Sequence, residues 1–195
     1  MAYYKTNALY NYITSKDITN FEFSEGKTWE VLYGDRNCEP LLITLISGVK
    51  EINSGLNNDE EKALTRIDKL KKSTSIKSLF IRFEYDSNEL GKVRIKEENN
   101  SWYTINLKEL ANLFEKLGLP VENNVTKKLI NESSSSLYHD WQRKNLGNDL
   151  VVADLDLWKF GDRGELETIY EIKRSQVPLN QWEPYREDYN NFRLV

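Results

Sequence analysis

The chain has 195 residues, a formal net charge of −4 and a single cysteine, Cys38. Such a length holds one sizeable domain or two small ones. The lone cysteine excludes an intramolecular disulfide framework, and the acidic balance argues against a nonspecific coat on a polyanion. No apolar run reaches the length of a membrane span and no signal-peptide core opens the chain, so a cytoplasmic protein with no membrane partner is expected.

Residues 1–26 are polar and aromatic without a clear period, with one short helix expected over Asn7 to Ile13. Lys27 to Gly34 alternates weakly and reads as a strand. Pro40 to Leu56 is expected to be a helix, because Leu41, Leu45, Val49 and Ile52 recur at helical spacing and Gly55 sits near its end. Asn57 to Asp59 can cap a second helix from Glu60 to about Lys72, with Leu64, Ile67 and Leu70 as its apolar stripe. Lys69, Lys71, Lys72 and Lys77 crowd its end, which is favourable charge at a helix C-terminus before it is a phosphate patch.

Ile76 to Tyr85 alternates cleanly, and Lys92 to Lys96 and Ser101 to Ile105 follow as two further strands, an antiparallel meander. Asn106 opens a helix whose stripe is Leu107, Leu110, Leu113, Phe114 and Leu117, with Gly118 and Pro120 to stop it. The pattern restarts after Pro120. The expected division is therefore an N-terminal α/β region, 1–120, and a second unit, 121–195. Asn124 to about Lys144 reads as a helix carrying His139, which is expected to be packed beside its Trp and Tyr neighbours. With no second His and Cys38 far away in sequence, no zinc ligand set is in view.

Asn148 to Ser175 carries most of the chemistry. Leu150 to Phe160 and Glu165 to Arg174 read as two strands of a hairpin, with Gly161 to Gly164 as the turn. Side chains alternate faces along a strand, so Asp154 and Asp156 share one face and Glu171 and Lys173 share one on the next strand. A symmetric turn puts Asp154 across from Glu171, whereas a bulge at the glycine-flanked turn puts Asp156 there. Three converging carboxylates repel one another unless a cation neutralises them. Oxygen ligands alone point to a hard ion, Mg²⁺ or Mn²⁺. The plainer alternative is a solvated, charged outer face, although the first strand offers only acids. Leu179 to Phe192 then reads as a helix whose start Pro184 delays. Its Trp182, Tyr185, Tyr189 and Phe192 are expected to pack on the hairpin.

Asp154-Leu155-Asp156-Leu157 followed by Glu171-Ile172-Lys173 resembles the PD-(D/E)XK nuclease superfamily, over roughly residues 122–195. It departs from the pattern in having no Pro before either aspartate. The resemblance implies an α+β fold in which the N-terminal helices and meander are followed by a restriction-endonuclease-like core hairpin flanked by helices. That core needs a last strand, for which only Arg193 to Val195 remain, so a homo-oligomer or a further protein chain would complete the sheet. It implies a metal-dependent nuclease that hydrolyses phosphodiester bonds, in DNA more than in RNA. Asp156, Glu171 and Lys173 would be catalytic, and Asp154, Asp156 and Glu171 would hold Mg²⁺ or Mn²⁺. Lys173 would stabilise developing negative charge or position the water. An additional acid on the preceding helix maps to Glu132, with Asp140 as its rival, and Arg174 and Gln181 are weaker candidates for contacts to the scissile phosphate. The alternative is a non-catalytic nucleic-acid-binding or assembly module that retains a nuclease-like fold.

Overall fold

The structure, a computed structural model, describes residues 8–98, 100–119, 121, 136–147, 149–173 and 177–195. It is α+β: among the described residues five α-helices accompany a mixed six-stranded sheet and a three-stranded antiparallel one. Helix α1 (Ala8–Ser15) leads into β1 (Phe21–Phe23), β2 (Thr28–Gly34) and β3 (Pro40–Val49). Helix α2 (Asn58–Ser73) connects β3 to β4 (Lys77–Glu84), which pairs with it in parallel. The expected meander follows as β4, β5 (Val93–Glu97) and β6 (Tyr103–Ile105), then α3 (Leu107–Lys116). After α4 (Leu137–Asn145) come β7 (Val151–Asp154), β8 (Leu157–Phe160), β9 (Leu166–Tyr170), a single 3₁₀ turn at Leu179–Gln181, and α5 (Arg186–Leu194). Among the described residues no helix is long and apolar enough to cross a membrane.

The six-stranded sheet has the order β6-β5-β4-β3-β2-β7 and is covered on both faces. On one face Val31, Tyr33, Ile46 and Ile81 pack against Leu110 and Phe114 of α3 and Tyr138 and Trp141 of α4. On the other, Leu32, Ile43, Leu45 and Phe80 pack against Ala63 and Ile67 of α2 and Leu194 of α5. Burial on both faces explains why the expected helix at Pro40 to Leu56 is instead β3. A central strand covered on both sides carries a near-continuous apolar run, and that run also satisfies helical spacing. The β-branched Ile43, Thr44, Ile46 and Val49 favour the extended form.

Strands from the two sides of the expected boundary near 120 pair with each other, β7 with β2 and β8 with β1. One further expectation is corrected. Residues 193–195 form no strand. Leu194 is the last residue of α5 and is buried among the α2-side core, and the Val195 amide donates to the Asn191 carbonyl at 3.0 Å.

The expected strand Leu150 to Phe160 is bent and serves both sheets. Val31 faces Asp154 in the larger sheet, the Leu155 amide donates to the Glu30 carbonyl at 2.8 Å, and Phe23 faces Leu157 in the smaller one. The chains β1–β2 and β7–β8 thus form one antiparallel ribbon, broken at Leu155–Asp156. The opposite chain spends extra residues at the same place, where Gly26 adopts a φ of +70° that favours glycine.

A layer of buried charge lies between α2 and the sheet. Glu30 accepts from Arg66 Nε at 2.6 Å and from Ser24 Oγ at 2.5 Å. Arg82 Nε donates to Glu60 Oε1 at 2.8 Å, and its Nη2 donates to the Gly55 carbonyl at 2.8 Å. Glu60 also closes a capping box with Asn57, so the same carboxylate starts α2 and seats it on β4. Glu60→Gln leaves the Arg82 guanidinium buried without its anion and is expected to destabilise the fold by about 3 kcal/mol. Asn57→Ala, which removes half of the capping box, is expected to cost about 1 kcal/mol. Urea unfolding of the two variants checks the ordering.

Candidate active site

The ribbon's break fixes where the acidic residues stand. Asp154 is the last residue of β7 and shares the α4-side face with Val31, its cross-strand partner, and lies exposed. Past the bend, Asp156 is buried. Its carbonyl accepts from the Ser24 amide at 3.2 Å, and its Oδ2 accepts from the Ile172 amide at 2.7 Å. Asp154 and Asp156 are two residues apart in one extended stretch, yet the bend sends one toward solvent and the other inward.

Hairpin register then settles which aspartate meets Glu171. Phe160 pairs with Leu166, but Lys159 pairs with Thr168, so a bulge shifts the ladder by one residue, and Leu157 pairs with Tyr170. One step further, Asp156 stands across from Glu171. This is the bulged alternative of the two registers read from the sequence. The face that carries these two acids is not a solvated one. The Glu171 side chain retains 6% of its exposure and Asp156 as a whole 7%, with the Trp158 ring fully buried on the same strand face.

Burial raises the Glu171 proton affinity, and the nearby Asp154 charge adds to the rise, while the Lys173 ammonium and the Asn191 side chain oppose it. Lys173 forms an ion pair with Glu171 and a second with Asp188 Oδ1 at 3.2 Å. Burial pulls the Lys173 ammonium down, but its bonds and attraction to Glu171 and Asp188 outweigh that and raise it above the ordinary lysine value. It is therefore protonated at neutral pH. Glu171 Oε2 is buried and, among the described residues, has no hydrogen-bond partner of good geometry.

The arrangement brings together Asp156, Glu171 and Lys173, with Asp154 near enough for its charge to be felt at Glu171. Among the described residues no three carboxylate, His or Cys side chains stand close enough together to hold a cation as a group. The expected ligand set of Asp154, Asp156 and Glu171 is thus split by the bend, with Asp154 on its far side. Gln181 lies exposed in the 3₁₀ turn. Glu132 and Arg174 lie outside the described residues. Asp140 is in the first turn of α4 with a buried Oδ1 that has no hydrogen-bond partner among the described residues.

Sequence reasoning overlooked Asp188 and Asn191. Their signal is the spacing Asp188, Asn191, Leu194, which puts two polar groups in line with the one buried apolar residue of α5. Ser24 was also overlooked. Its hydroxyl donates to Glu30, lies 2.8 Å from the Leu155 carbonyl and so ties the bend to the buried charge layer.

His139 is packed, as its aromatic neighbours suggested. Its ring meets Trp29 edge-on at 5.2 Å between centroids, and Nδ1 lies 2.7 Å from Ser136 Oγ. Burial holds its proton affinity below the ordinary value of 6.5, against the attraction of Asp154. A folded-state value below the unfolded one means that the neutral ring's contribution is fully present above pH 6.5 and is lost as pH falls from there through the lowered folded value. Melting temperature is therefore expected to fall between pH 7 and 5.5 on the order of a few degrees, and His139→Gln should flatten that slope. An identical slope in the variant rules out His139 as its source.

No family model matches this chain, and no curated protein or solved structure does.

Proposed function

We propose that the protein is a metal-dependent nuclease that hydrolyses phosphodiester bonds, DNA being the favoured substrate, with Asp156, Glu171 and Lys173 as its catalytic residues. The observation that carries this reading is the buried Glu171 carboxylate, one register step past the Leu157–Tyr170 pair and so opposite Asp156, with one oxygen paired to Lys173 and the other making no hydrogen bond of good geometry among the described residues. A carboxylate desolvated to this degree is costly unless a cation or donor meets each oxygen. The chemistry of the donor set, all oxygen, fits Mg²⁺ or Mn²⁺, which Glu171 and Asp156 would hold with Asp154 adding charge nearby. When bound, that ion would supply Lewis acidity and a water of lowered pKa.

The chain's own groups divide the remaining work. Lys173, charged at neutral pH, offers a point-charge donor to a phosphate oxygen as negative charge develops. Asp188 holds that ammonium on the Glu171 side, so the donor is pre-positioned before substrate arrives. The Ile172 amide fixes the Asp156 carboxylate through Oδ2, and Glu171 Oε2 makes no hydrogen bond of good geometry among the described residues, with the Asn191 side chain as the donor nearby.

A second reading is favoured by a specific observation. Lys173 is shared between two carboxylates and joins α5 to the hairpin, an arrangement that also suits a structural clamp in a non-catalytic nucleic-acid-binding or assembly module. Incubation with linear, circular and branched DNA and with RNA, with and without Mg²⁺ or Mn²⁺, separates the two. The nuclease reading expects cleavage only with metal, and a loss of roughly 100-fold or more in Asp156→Asn and in Lys173→Ala with the circular-dichroism spectrum unchanged. Asp154→Asn should lose less. Wild-type rates in Asp156→Asn would falsify its assignment, and no cleavage of any substrate leaves the clamp reading standing. Millimolar Mn²⁺ should also raise the melting temperature of the wild type but not of Glu171→Gln.

A further inference from the structure

Helix α5 was expected to lay its aromatic residues on the hairpin, and it does the opposite. Tyr185, Tyr189 and Phe192 are 75%, 59% and 39% exposed, while Asp188 and Leu194 are buried on the inner side. Spacings of four and three residues align the three rings in one stripe. Arg186 and Arg193, three residues before and four after Tyr189, border that stripe and are themselves exposed. Neither arginine has an ion-pair partner among the described residues. Asp188 is turned away from it toward Lys173. The stripe ends at the candidate site, because the Lys173 ammonium lies 6.0 Å from the centre of the Phe192 ring.

From this juxtaposition we infer that the outward face of α5 binds a single-stranded nucleic acid, with unpaired bases stacking on Tyr185, Tyr189 and Phe192 and phosphates meeting Arg186 and Arg193. Three large rings held in water cost free energy that burial against a partner recovers. Rings bordered by arginines complement a ligand that is flat, apolar-faced and anionic. Nucleic-acid strands combine those properties only where bases are unpaired, since a duplex hides the base faces within its stack. Stacking tolerates any base, so the face would take strands of varied sequence. The inference rests on the nuclease reading only for the strand's path toward Lys173.

The test is fluorescence anisotropy of labelled oligothymidylate, alone and annealed to oligoadenylate, with the full chain in EDTA so that binding is read without cleavage. Wild type is expected to bind the single strand more tightly than the duplex. Tyr185→Ala and Tyr189→Ala should each weaken single-strand binding about tenfold, and Tyr185→Phe and Tyr189→Phe, which keep the ring, should bind as wild type. Unchanged melting temperatures exclude misfolding, as these side chains are exposed. Alanine variants that bind as wild type overturn the inference, as does equal affinity for the duplex. Failure to bind the strand, with self-association that Tyr189→Ala abolishes in sedimentation, assigns the face to a second copy instead. Strand binding that depends on the tyrosines in a protein that cleaves nothing upholds this inference and sinks the nuclease reading. Metal-dependent cleavage untouched by the tyrosine variants, with no strand bound, does the reverse.

Discussion

The Glu30–Arg66 pair is the interaction on which the candidate site depends. Glu30 is fully buried on β2, facing α2, and an ionised carboxylate there is tolerable only because Arg66 and Ser24 satisfy it. Ser24 is the point where that requirement reaches the chemistry. Its hydroxyl contacts both Glu30 and the Leu155 carbonyl, and its amide donates to the Asp156 carbonyl. The buried charge layer therefore sets the position of the bend, and the bend decides that Asp156 points inward while Asp154 does not. A hydrophobic replacement of similar volume would stabilise the layer as well or better. What it would not supply is the directional hold on Ser24, and through it on Leu155 and Asp156.

The hairpin and α5 close the site from the other side. With Asp156 committed to the Ile172 amide, Glu171 is left to face Lys173, and Lys173 to bridge to Asp188. One ammonium, Lys173, is shared between Glu171 and Asp188 while a backbone amide meets Asp156, so the three acids share a poorly hydrated space with only part of their charge compensated by it. The compensation is incomplete at Glu171 Oε2 and in the raised proton affinity of its carboxyl. Strongly perturbed groups beside a specific charge partner cluster at functional sites, and here the perturbation lies on the residue that the Glu-x-Lys spacing singles out.

The acidic chain and a nucleic-acid substrate are compatible on these terms. Four of the 31 acids, Glu30, Glu60, Asp156 and Asp188, are buried and add no anionic surface, with Arg66, Arg82 and Lys173 against Glu30, Glu60 and Asp188. Arg186 and Arg193 lie exposed on α5, close to the aromatic stripe. Local potential, not the formal total, governs what approaches a surface within a Debye length.

Local pattern determined much of this protein. The alternation of Ile76 to Tyr85, the stripe from Leu107 to Leu117 and the asparagines before two helices dictated β4, α3 and the caps of α2 and α3, because each signal is satisfied within a few residues of itself. The pairing of two acids with Glu-x-Lys was legible for the same reason, as was the choice between two hairpin registers. Tertiary structure decided the rest. β3 is a strand because helices cover both faces of the sheet, a fact no window of the sequence contains. The stretch from Val151 to Phe160 bends because its partner, residues 21–34, bends beside it more than a hundred residues away in sequence. Whether Asp154 joins Asp156 at one site follows from that bend alone. Strand alternation assigns faces only within one continuous sheet, and here the two aspartates lie on opposite sides of the point where the sheet changes.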